Sequence, residues 1–184
     1  MTPFDPGVYP PPLAALWSIP RLPELGPGEP NGSIKPALAE LRVEDLFPTL
    51  RDREAALGCI SGLWLYHDFL DESHAMSQDL PGWVGSYWHG IMHRREPDAD
   101  NAKYWFRRVE TNPVYEALAA DAAELGLPVR GGRWDPFAFV DRCERERGTG
   151  ADAELLCRRV QLREMQLLLD WCFRRAAGSE LGLG

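Results

Sequence analysis

Thr49–Met76 reads TLRDREAALGCISGLWLYHDFLDESHAM, and its periodicity decides the fold class. Ala56, Cys59, Ile60, Leu63, His67, Leu70 and His74 recur at helical spacing. The stretch predicts one long helix, capped by Thr49 with Asp52 three residues on in a capping-box-like arrangement, and running to about Met76. Gly58 and Gly62 sit four apart within it. Each costs about 1 kcal/mol relative to alanine in a helix, so the pair predicts close approach by another helix or by the N-terminal segment.

Helical signals continue on both sides. Upstream, a short helix is expected from Ser33, with Pro36 in its first turn, to about Asp45. Downstream, Asp79–Gly82 is a turn, followed by a helix from Trp83 to Arg95 that Pro97 ends. Asp98 caps a helix through Val109, Asn112-Pro113 opens another to Gly126, and Asp135-Pro136 opens a third to Arg147. Asp152 is the expected cap of a last helix to Ala176. No stretch alternates as a strand does. The expectation is an all-α, single-domain, irregular bundle of six or seven helices over residues 33–184. Residues 1–32 hold nine prolines and read as an extended N-terminal arm. Phe4, Tyr9, Leu13, Leu16, Trp17 and Ile19 give that arm apolar surface to wrap the domain.

Composition narrows the function classes. The chain has 184 residues, 45% hydrophobic and 26% charged, as expected of a globular domain. No apolar run is long enough for a membrane span. The first twenty residues have no basic start, so no signal peptide is expected and the cytoplasm is the default. A net charge of −8 argues against nucleic-acid binding, which rests on cations meeting phosphates. The abundance of Arg over Lys, with many Ala, Gly and Pro, points to a GC-rich bacterial origin. The four cysteines lack C-x-x-C spacing and read as buried small hydrophobes.

All four histidines, His67, His74, His89 and His93, fall in one 27-residue window. Random placement would do this on the order of one time in a hundred. Histidine is the commonest metal ligand and the side chain that titrates near neutral pH. His67, Asp71 and His74 are spaced i, i+4, i+7, and His89, His93 and Glu96 repeat the spacing. Two antiparallel helices would bring those faces together, as helical bundles do for metals. His74, His89 and His93 are the candidate ligands of a divalent transition metal; Glu72, His74, His89, His93 and Glu96 are the candidate proton-transfer groups. The metalloprotease form of His-x-x-x-His is absent, since Gly90 stands where its glutamate would be. The alternative for the same residues is a buried structural network.

Arg94, Arg95, Lys103 and Arg107 are the candidate binders of a small anionic molecule, because guanidinium forks match carboxylates and phosphates. Against this, Arg94 and Arg95 can instead pair with Glu72, Glu96, Asp98 or Asp100. The run Tyr104-Trp105-Phe106 points in three directions on a helix, so at least one ring faces the core. No Gly-x-Ser-x-Gly elbow is present.

Gly62–His74, Tyr87–Asp98 and Asn101–Val109, with Trp134–Phe137 and Gln166–Trp171, carry a resemblance over residues 55–175. In these motifs the chain resembles a family of bacterial proteins with no established activity, and the resemblance implies no residue's role. The functional expectation is a non-catalytic ligand-binding or interaction protein with a buried His/Arg/carboxylate network. The alternative is a small-molecule enzyme, a metal-assisted hydrolase or transferase, using the His67–His93 cluster.

Overall fold

The computed structural model describes residues 1–109 and 111–178. It is all-helical, with no strand among the described residues. Among the described residues there are ten α-helices rather than six or seven: α1 (Pro11–Trp17), α2 (Lys35–Glu40), α3 (Val43–Leu46), α4 (Arg53–Tyr66), α5 (Leu70–Ser77), α6 (Gly82–Arg95), α7 (Ala99–Phe106), α8 (Pro113–Glu124), α9 (Pro136–Glu146) and α10 (Asp152–Ala177). The long α10 packs against α4, α8 and α9, while α6 packs against α4, α5 and α7.

The extra helices arise in three places. The arm is not wholly extended: prolines at its first two positions start α1, which buries Leu13, Leu16 and Trp17. Trp17 stacks on Tyr66, ring centroids 4.3 Å apart. The helix expected over 33–45 is instead two short pieces, α2 and α3, separated by extended Leu41 and Arg42.

The third place matters most for the site, because the helix expected to run to Met76 stops at Tyr66. Asp68 adopts a left-handed conformation (φ 68°). The Asp68 N–H donates to Leu65 O at 3.2 Å and the Phe69 N–H to Trp64 O at 2.9 Å, the paired bonds that end a helix in a Schellman motif. Phe69 and Trp64 complete it with an edge-to-face contact at 5.3 Å. Glycine usually fills this position, and an L-residue there costs about 1–2 kcal/mol. Asp68 offsets the strain with ion pairs to Arg21 and Arg95. The last carbonyls of α4 find partners outside the helix: Leu65 O accepts from Arg95 at 2.7 Å and His67 O from the Asn31 N–H at 3.1 Å.

Caps follow the sequence signals at Asp98, Asn112 and Asp135, each accepting from a first-turn N–H. Two differ. Asp52, not Thr49, caps α4, accepting from the Ala55 N–H at 3.1 Å. Asp152 lies inside α10, and Glu154 ties down the preceding turn by accepting from Gly148 and Gly150 at 2.8 and 2.7 Å. The glycine pair marks a close helix contact. A Cβ on Gly58 would sit 2.9 Å from Val84, and one on Gly62 would sit 2.6 Å from the Trp88 ring. Both neighbours belong to α6, whose approach to α4 therefore depends on missing side chains.

Candidate metal centre

The break at Asp68 separates His67 from the other histidines. His67 ends α4 and is fully buried, its Nε2 3.0 Å from Leu16 O. It holds the N-terminal arm and has no place beside His74. Burial lowers its pKa to about 4. The spacing His67–Asp71–His74 thus does not make one helical face.

His74 from α5 and His89 and His93 from α6 do converge. Their potential ligand atoms all lie within 4.8 Å of one another. Ring centroids are 4.5 Å apart for His74–His89, 5.4 Å for His74–His93 and 4.7 Å for His89–His93. Local chain logic produces this meeting. The Asp79–Gly82 turn reverses the direction between α5 and α6, and Gly82 accommodates the reversal at φ 84°. His89 and His93, four apart, then share the face of α6 that meets His74.

The surroundings prepare the imidazoles to donate lone pairs. His89 is pushed down to about 3 by burial, then by its two histidine neighbours. Burial also lowers His93. Both are neutral at neutral pH, the form that binds metal. His93 Nδ1 lies 2.9 Å from Glu96 Oε2, so the carboxylate holds the proton on Nδ1 and leaves Nε2 as the free donor. His89 Nδ1 is buried with no hydrogen-bond partner. Trp105 of α7 stacks on the His89 ring at 4.0 Å and fixes its plane.

Trp105 was the member of the set with the weakest sequence signal. The three aromatic residues of α7 do point three ways: Phe106 is buried in the core, Tyr104 is 48% exposed, and Trp105 faces His89. The two acidic candidates divide. Glu96 supports His93, whereas Glu72 pairs with Lys35 at 2.6 Å.

The cationic candidates do not form one surface. Arg94 is buried against Glu164 at 2.5 Å and Gln161 at 3.3 Å, and its guanidinium lies 4.7 Å from the Phe139 ring centroid. Arg95 is buried too, donating to Glu24 O (3.0 Å), Gly26 O (3.2 Å), Leu65 O (2.7 Å) and Pro27 O (3.1 Å), and pairing with Asp68. Their partners are therefore Glu164 and Asp68, not Glu72, Glu96, Asp98 or Asp100. Lys103 pairs with Asp141, and exposed Arg107 lies over Phe137 at 5.9 Å.

Two surface grooves lie elsewhere. One of about 570 Å³ is bordered by Phe4, Trp17, Arg21, Tyr66 and Leu162, and one of about 480 Å³ by Leu57, Trp64, Met76 and Leu80. Neither is lined by the three histidines, so the histidine centre rests on its donor geometry and not on a large cavity. All four cysteines are free and buried. The Cys157 thiol is lowered to about 7 by its contact with Cys143, yet it is fully enclosed. No helix among the described residues is long and apolar enough to cross a membrane. Comparison of the chain with protein-family models, with curated proteins and with solved structures finds no match.

Proposed function

We propose that this chain binds one divalent transition metal through His74, His89 and His93, with Glu96 orienting His93 and Trp105 orienting His89. The observation that carries this reading is the convergence of three imidazoles from two helices, with ligand atoms inside 4.8 Å. Zinc–nitrogen bonds of about 2.0–2.1 Å would draw the three donors closer together than they stand in the metal-free chain. Nitrogen donors of this kind suit zinc, nickel, copper or cobalt better than magnesium or calcium.

Calorimetric titration with Zn²⁺ tests the reading. One ion per chain is expected in the parent protein, with loss of that binding in His74→Ala, His89→Ala and His93→Ala. Circular dichroism on each variant confirms that the fold is kept. A parent protein that takes up no zinc, nickel, copper or cobalt would end the proposal.

A second reading has its own observation. His67, Arg94 and Arg95 all serve packing by bonding to groups of this chain. Under that reading the three histidines extend a structural network in a non-catalytic interaction protein. Each histidine-to-alanine variant would then lose thermal stability, and added metal would leave the parent melting temperature unchanged.

A further inference from the structure

We infer that the metal centre keeps one coordination position open toward solvent, and that this position takes water or a small anionic donor such as a carboxylate. The inference rests on the metal-binding reading above and adds a ligand to it.

The donor count comes first. Among the described residues no fourth His, Cys, Asp or Glu joins the three histidines within the same 4.8 Å. Glu96 is engaged by His93 and Glu72 by Lys35. Closed structural zinc sites use four protein ligands, while sites with three hold an exchangeable molecule in the fourth position.

Exposure gives the open position a direction. His89 and His93 are 2% and 5% exposed, whereas His74 is only half-buried. Trp105 covers His89 from α7. The accessible side of the triangle is therefore the His74 side, the least buried of the three.

Charge gives the donor its class. Three neutral imidazoles bring no charge to the ion, and the Glu96 carboxylate behind His93 offsets its +2 only in part; in a partly desolvated site the remaining positive charge favours an anion over a neutral donor. Binding is ligand exchange: the donor's lone pair replaces that of water, water leaves, and no oxidation state changes.

Cobalt(II) provides the test, because its visible absorption reports both occupancy and coordination. The full chain is loaded with Co²⁺ and titrated with azide, then with acetate. The expected result is a visible band on loading, followed by a saturable change in that band with each anion. A cobalt band that neither anion alters would mean a closed centre; it would overturn this inference while leaving the metal reading intact. Absence of any cobalt band in the parent protein would overturn both. His74→Ala, which should no longer load cobalt, serves as control. A cobalt band with the same anion response in that variant would place the ion away from the three histidines and overturn both readings.

Discussion

His89 and Arg95 lie six residues apart on α6, and both are buried, but the chain treats them in opposite ways. Every nitrogen of the Arg95 guanidinium meets an acceptor from this protein: four backbone carbonyls and the Asp68 carboxylate. His89 Nδ1 meets none among the described residues, and its ring packs against Trp105 and two other imidazoles. An unsatisfied buried polar group costs about 1–3 kcal/mol. Arg95 is thereby a joint of this fold, while His89 Nδ1 is one of several buried polar atoms left without a partner among the described residues.

Breaking the joint should have the largest effect. Arg95→Lys keeps the charge but loses the planar fork, leaving carbonyls of the arm and part of Asp68 without donors. Stability should fall by about 3–5 kcal/mol, read from urea denaturation. An unchanged midpoint would mean that the two ends of α6 do not differ as described.

The helix contact beneath both sites comes next. Gly62→Leu must displace the Trp88 ring, so it should lower stability by about 1–3 kcal/mol despite leucine's better helix propensity. Because Trp88 precedes His89, the same variant should also weaken zinc binding in calorimetry. A rise in melting temperature would show that α4 and α6 are not tightly apposed.

The burial of His67 should also show in acid. Unfolded histidine titrates near 6.5, while burial holds His67 at about 4. Between these values the unfolded chain binds more protons, so His67 contributes a loss of stability as pH falls from about 6.5 to about 4 and none above that window. Denaturation curves across the window should show a shallower acid slope in His67→Gln than in the parent. Equal slopes would mean that His67 is not held neutral.

The smallest effect on folding is expected at His74. In the metal-free protein, His74→Ala should change stability by no more than about 0.5 kcal/mol, because the side chain is half-exposed and bridges no charge. The same variant should lose the thermal stabilisation that zinc gives the parent, about 2.7 kcal/mol at a hundredfold excess over Kd. A thermal melt with and without zinc reads both values.

Much of this contrast was legible in the sequence, though unevenly. The helical class followed from periodicity and from the caps at Asp98, Asn112 and Asp135, because those signals act within a few residues. The convergence of His74, His89 and His93 followed from spacing plus one short turn. The break at Asp68 was not legible, since its left-handed residue is an aspartate held by Arg21 and Arg95 rather than a glycine. That break removed His67 from the cluster. The partners of Arg94 and Arg95 were hidden for a related reason. Glu164 lies 70 residues from Arg94, and local acidic residues had other uses, Asp98 as a cap and Glu72 with Lys35.

The fastening of residues 22–27 has a consequence for the order in which the protein is made. Their carbonyls are held by Arg95, Arg147, Arg158 and Gln161, all of them later in the chain. Arg158 follows Leu22 by 136 residues, and at about 5–20 residues per second a ribosome takes roughly 7–27 seconds to cover that distance. Throughout that interval Leu13, Trp17 and Leu25 have no finished core to enter. A segment this apolar would be a hazard if it could pair as a strand with a neighbouring nascent chain. Prolines at 10, 11, 12, 20, 23 and 27 remove the amide donors that such pairing needs. The prolines that open α1 and interrupt the arm beyond it in the finished protein therefore also guard it while it waits.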